Sequence, residues 1–142
     1  MKILLAVDGS KNSLDAASSL IRHAAWFKEA PSVALIYVHL PVPRVGLFGA
    51  GPTKAALERY YREEGDECLA KARRLFAKSK LLYEEAILVG PISETICSEA
   101  QKRKCDMIWM GTRGLGAAAG LVVGSTATKV LHAATMPVVL VR

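Results

Sequence analysis

Cysteine is sparse in this chain and shows no pairing pattern. Cys68, Cys97 and Cys105 are odd in number and far apart, with no C-x-x-C spacing; a disulfide framework, a redox pair and a zinc ribbon are therefore not expected. The three thiols read instead as small buried hydrophobes. His23, His39 and His132 do not cluster with them, so no structural metal site is expected either. Aromatic residues make up only 6% of the chain, and the one within the basic stretches, Phe76, falls on the inward face of its helix. The net charge of +6 suits an anionic partner. Its carriers, however, are Lys71, Arg73, Arg74, Lys78 and Lys80 along one helical stretch and Lys102, Arg103 and Lys104 at the end of another. Without aromatic platforms these read as solvated helix faces, and nucleic acid is not an expected partner. No apolar run reaches the roughly 20 residues needed to span a bilayer. The apolar opening, Ile3 to Val7, stops at Asp8 too soon for a signal-peptide core, so it reads as a first strand in a cytoplasmic protein.

What is present is an alternation of short apolar runs with helical periodicity. Ile3 to Val7, Val33 to Val38, Leu82 to Val89, Asp106 to Met110 and Val138 to Val141 read as strands. Between them, Leu14, Ala17, Ile21 and Ala24 recur at helical spacing, as do Ile92, Ile96 and Ala100, and Ala127 to Ala134 completes the set. Residues 53–80 carry a long amphipathic helix, with Leu57, Tyr61, Cys68, Ala72, Leu75 and Phe76 inward and Glu58/Arg62 and Glu67/Lys71 as outward pairs. A proline- and glycine-rich stretch, Pro41 to Pro52, is too long for a plain connection and reads as a mobile or site-forming loop. At 142 residues the chain has room for one domain. Apolar strands alternating with helices imply a parallel sheet covered on both faces, a doubly wound α/β fold. Ligands of such sheets sit beyond the carboxyl ends of the strands, where the winding reverses. If strand 1 is central with strand 4 beside it, Asp8 and Gly111 meet there.

Chemistry concentrates after the fourth strand. Gly111 to Thr126 holds five glycines in sixteen residues. Glycines at a strand end let backbone N–H groups approach an anion, and a helix N-terminus just beyond adds positive partial charge. Gly124, Ser125 and Thr126 stand where the fourth helix should start, with hydroxyls suited to capping it or to touching a phosphate. Two familiar nucleotide motifs are absent. There is no G-x-x-x-x-G-K-[ST], and no G-x-G-x-x-G follows strand 1, which excludes a P-loop protein and argues against an NAD-dependent dehydrogenase.

Gly111-x-x-Gly114, nine residues, then Gly124-Ser125 resembles the nucleotide motif of the universal stress protein family. The likeness runs through Ala6-Val7-Asp8-Gly9-Ser10, Asp106 to Gly111 and Met136 to Arg142. It implies a Rossmann-like sheet in the order 3-2-1-4-5, of the type shared with adenine nucleotide alpha hydrolases, ATP at the strand tips, and a homodimer joined through the last strands. By the same resemblance, Asp8 would lie near ribose and metal, and Val38 would offer its backbone to the adenine edge. Gly111 would touch ribose or the α-phosphate, while Gly114, Gly124, Ser125 and Thr126 would hold phosphates. Mg²⁺ or Mn²⁺ would bridge phosphate oxygens. Tyr37-Val38 departs from the family's frequent His-Val, a change that a backbone contact would tolerate.

Each of these residues also has a plainer reading: Asp8 as a cap of the first helix, Val38 as strand-end core, Ser125 and Thr126 as caps without ligand, Arg113 as a solvated loop residue. A cradle built of backbone amides does not separate ATP from ADP or AMP. Asp8 is the only carboxylate at the expected crevice, and no catalytic residue is assigned. The expected function is a regulatory nucleotide-binding module with at most slow ATP hydrolysis. The alternative is an adenylating or ATP-hydrolysing enzyme of the alpha hydrolase type, whose Ser-Gly-Gly-x-Asp-Ser loop is poorly matched by Asp8-Gly9-Ser10-Lys11-Asn12-Ser13. Independently, an apolar last strand on a sheet edge leaves backbone groups unpaired, a condition that a two-fold dimer relieves.

Overall fold

The computed structural model describes residues 1–43, 51–115 and 122–142. Five strands form one parallel sheet: β1 Lys2–Ala6, β2 Ser32–His39, β3 Tyr83–Val89, β4 Met107–Gly111 and β5 Val138–Val141. The order is β3-β2-β1-β4-β5, with β1 central and β4 beside it, as expected. Because side chains alternate along each strand, the apolar runs feed two cores. Ile3, Leu5, Val33, Leu35, Tyr37 and Trp109 face helices α1 (Lys11–His23) and α2 (Lys54–Ala77). Leu4, Ala34, Ile36, Val38, Ile108 and Met110 face α3 (Ile92–Lys102) and α4 (Ser125–Ala133). Each buried Leu or Ile contributes about 1.5–3 kcal/mol. Both faces of the strands are thus used, and neither tolerates a one-residue slip.

Several boundaries moved. β1 ends at Ala6, although the Val7 amide still donates to the Ile36 carbonyl at 3.0 Å. Asp106 lies before β4, where its carboxylate accepts the Lys2 amide at 2.7 Å. On α2 the buried stripe is Leu57, Gly65, Leu69, Ala72 and Phe76, while Tyr61, Cys68 and Leu75 are only half-buried. Gly65 belongs to it because α2 passes so close to β3 that a Cβ there would lie 2.6 Å from Ile87. The expected pairs Glu58/Arg62 and Glu67/Lys71 are not among the ion pairs of the described residues; Glu58 instead meets Lys54 at 3.8 Å. Cys97 and Cys105 are buried as expected, and Cys68 half so. Most of the Pro41-to-Pro52 loop lies outside the described residues, as do Gly116 and Gly120.

Candidate functional site

Beyond the carboxyl ends of β1 and β4 the chain makes two turns that lock together. After β1, Gly9 takes φ +78°, a conformation that glycine adopts without a Cβ penalty. Ser10 then caps α1, its hydroxyl accepting the Ser13 amide at 3.2 Å. Asp8 is therefore not the cap. Its Oδ1 accepts the Ser10 amide at 3.0 Å, and its Oδ2 accepts the Leu115 amide at 3.0 Å across the crevice. Asp8 ties the β1 turn to the turn after β4. A carboxylate offers about four acceptor sites, of which the described residues use two.

The three motif glycines differ physically. A Cβ on Gly111 would lie 2.8 Å from the Asn12 carbonyl in the first turn of α1, and one on Gly114 would collide with the Asp8 carboxylate. Backbone packing requires the first to be glycine, whereas at the second only the end of the Asp8 side chain stands in the way. At Gly124 an added Cβ would meet nothing among the described residues nearer than 3.4 Å, and its φ of −76° suits any residue. The described part of the fold makes no demand for glycine there.

Gly124 is the N-cap of α4, with no side-chain cap. Its amide donates to the Thr112 carbonyl at 2.7 Å, and the first intrahelical bond runs from the Thr128 amide to the Gly124 carbonyl. Among the described residues, the amides of Ser125, Thr126 and Ala127 find no acceptor. The expectation that Ser125 or Thr126 caps the helix is thereby corrected: both sit inside the first turn, where their own hydroxyls lie past the cap position. Ser125 is exposed and Thr126 half-buried. Beside this turn, the Thr112 hydroxyl and Arg113 Nε are buried with no partner among the described residues. The sequence reading overlooked Thr112, which nothing but the tertiary contacts of its neighbours marks.

Val38 is buried in the α3/α4 core. Along a strand, N–H and C=O groups of alternate residues point to opposite neighbours. The Ile36 carbonyl accepts from Val7 on β1, and the His39 carbonyl accepts from Gly90 beyond β3. Val38 therefore turns its polar groups toward the β1 side, just past the point where β1 has ended. Cys68 stands nearby, 3.4 Å from where a Gly9 Cβ would be, and burial pushes its thiol pKa up. It stays a thiol and is a poor nucleophile. Among the described residues no cluster of three or more His, Cys, Asp or Glu side chains is placed to hold a metal.

The profile of the universal stress protein family matches residues 1–142. The chain belongs to the universal stress protein family. Relatives at the sequence level include a universal stress protein of Thermus aquaticus, 37% identical over 99% of this chain and 97% of that one. Another, from Methanocaldococcus jannaschii, is 34% identical over 99% of this chain and 81% of that one. Among solved structures, hypothetical protein MJ0577 superposes with a TM-score of 0.78 at 24% identity, covering 99% of this chain and 94% of that one. The universal stress protein from Archaeoglobus fulgidus in complex with dAMP gives 0.68 at 21% identity, covering 100% and 98%. A universal stress protein in complex with cAMP gives 0.62 at 21%, covering 100% and 97%. At these identities the superpositions establish the fold that this universal stress protein shares. No helix among the described residues is long and apolar enough to cross a membrane.

Proposed function

We propose that this universal stress protein binds an adenine nucleotide, ATP foremost and ADP or AMP by the same contacts, as a cytoplasmic regulatory module. The observation that carries the reading is the N-terminus of α4, which has no side-chain cap and opens beside the buried Thr112 hydroxyl and Arg113 Nε, both without a partner among the described residues. Aligned amides, a helix dipole and a cationic side chain together suit a phosphate. Four charge-assisted bonds of about 1.5–3 kcal/mol each approach the roughly 8 kcal/mol of a micromolar complex, with ordering of the glycines consuming part of it. Phosphates would lie on Gly114, Gly124, Ser125 and Thr126, ribose near Asp8 and Gly111, and the adenine edge on the Val38 backbone. That relatives of the same fold were crystallised with dAMP and cAMP supports the choice of base.

The residues also fit a divalent ion carried by the nucleotide. Asp8 keeps free acceptor sites at the crevice, and the described residues offer no protein cage; Mg²⁺ or Mn²⁺ would be held chiefly by phosphate oxygens. Such an ion neutralises phosphate charge when bound. Asp8 orients, the amides bind, and nothing in the described crevice is placed to activate water, so hydrolysis is at most slow. A homodimer through β5 completes the proposal.

Calorimetry with Mg·ATP tests it through the unequal glycines. Gly124→Ala is expected to keep wild-type stability while lowering ATP affinity at least several-fold, since only a ligand needs that space. A wild-type protein that releases no heat with Mg·ATP, ADP or AMP refutes the reading. So does a Gly124→Ala variant that binds as the wild type does.

A further inference from the structure

At the end of β2, three polar contacts converge on one residue. The His39 carbonyl accepts the Gly90 amide at 2.9 Å. Its ring Nε2 meets the Glu64 carboxylate on α2 at 2.5 Å, and its Nδ1 meets the Leu40 carbonyl. The ring is caged by Tyr60 and Tyr61, with centroids 5.4 and 5.0 Å away, and has Tyr37 at 6.2 Å. Its side chain is only 15% exposed. The Tyr61 hydroxyl in turn accepts the Val42 amide at 2.8 Å, fastening the chain as it leaves the sheet.

This arrangement lies one residue from the Val38 carbonyl. A peptide unit is a rigid plane, and the carbonyl of Val38 shares its plane with the amide of His39. A displacement of the His39 backbone therefore tilts the Val38 carbonyl. Among the described residues no neighbouring strand beyond β1 holds that carbonyl in place, so its aim depends on the other side of the plane, where His39 is held from β3, from α2 and from its own following turn. An edge that discriminates one base from another by hydrogen bonds loses its selectivity when its direction wanders.

We propose that His39, clamped by Glu64 and Tyr61, is a positioning residue that sets the base-reading edge of Val38 and thereby the preference for adenine over guanine. The inference rests on the nucleotide reading above and deepens it. His39 touches no ligand; it acts through the backbone of its neighbour. Glu64 and Tyr61 act one step further out, on the ring and on the segment that begins at Leu40.

The test separates base from phosphate. Affinities for Mg·ATP, Mg·GTP and inorganic tripolyphosphate with Mg²⁺ are measured by calorimetry for the wild type, His39→Phe, Glu64→Leu, Glu64→Gln and Tyr61→Phe. His39→Phe keeps the aromatic cage and removes both ring bonds. The expected result is a loss of about ten-fold in ATP-over-GTP preference, the size of one or two well-aimed hydrogen bonds, with tripolyphosphate affinity unchanged. Glu64→Leu should follow it, and Glu64→Gln, which keeps an acceptor, should restore most of the preference. Tyr61→Phe should have a smaller effect in the same direction. If His39→Phe does not fold, Glu64→Leu against Glu64→Gln decides. An unchanged base preference in these variants overturns the inference alone, as does an equal loss of ATP and tripolyphosphate affinity. A wild type that binds tripolyphosphate but prefers no base overturns it too, and one that binds no nucleotide takes the function with it.

Discussion

The two edges of the sheet are treated oppositely. β3 is long, seven residues, and its exposed end carries Glu84 and Glu85 on opposite faces. Glu84 is held by Lys2 at 2.7 Å and Arg103 at 2.9 Å, and Glu85 by Arg73 at 2.7 Å, which also binds Asp66. A strand docking there would have to desolvate this network. β5 has four residues, Val138 to Val141, all half-buried and none charged. Its odd-numbered positions face β4: the Pro137 and Val141 carbonyls accept from Ile108 and Thr112. The Val138 and Leu140 backbone groups therefore point outward from the sheet. Charge closes one edge, and the other is left apolar and open, which is how a protein restricts pairing to a single side.

The largest expected effect comes from closing the open edge. Val139→Glu would bring two like charges together across the proposed two-fold pairing of β5 strands, and a folded monomer should replace the proposed dimer at micromolar concentration in light scattering. A wild type already monomeric under those conditions defeats the contrast before any variant is made. The converse change opens the closed edge. Glu84→Val with Glu85→Val should give concentration-dependent species beyond the dimer in sedimentation velocity, because β3 then offers a long apolar strand. No growth beyond the wild-type assembly would show that charge is not what protects β3.

Acid offers a milder probe. Hydrogen bonds from Lys2, then Arg103, lower the Glu84 pKa below the ordinary carboxylate value. A lowered carboxylate pKa stabilises the fold above its unfolded value of roughly 4.3 and ceases to do so as pH falls through the lower folded value. Denaturant unfolding of wild type and Glu84→Gln should therefore differ at pH 7 and converge once the pH falls below the lowered folded value; a gap that stays constant down to acid would contradict the assignment. The smallest effect is expected for Arg73→Met. Its partly exposed pairs should be worth about 0.5–1 kcal/mol, read as a shift in thermal midpoint that high salt reproduces in the wild type.

Much of the fold was legible because strand and helix are local patterns. Each apolar run of four to eight residues bounded by turn signals became a strand within a residue or two, and the alternation of elements forced a parallel sheet. The inward stripe of α2 was less legible. Gly65 reads as a weak helix residue, yet it is buried because α2 lies against Ile87, a distance that no local pattern reports. At the crevice, Asp8 and the glycine spacing stood out in the sequence, but their roles did not. Ser10, not Asp8, caps α1; Gly124, not Ser125, caps α4. Capping is decided by which residue leaves helical dihedrals, and adjacent Ser, Thr, Asp and Gly compete for the position on nearly equal terms.

By itself, the sequence determined the order of elements, their parallel pairing and the cluster of glycines after β4, since periodicity and turn chemistry act over a few residues. Only the tertiary structure decided that backbone packing requires glycine at Gly111 and, among the described residues, not at Gly124, that Asp8 braces one turn against another, and that His39 is locked beside Val38. These are distances between segments remote in the chain, set when the sheet twists and the helices settle on it.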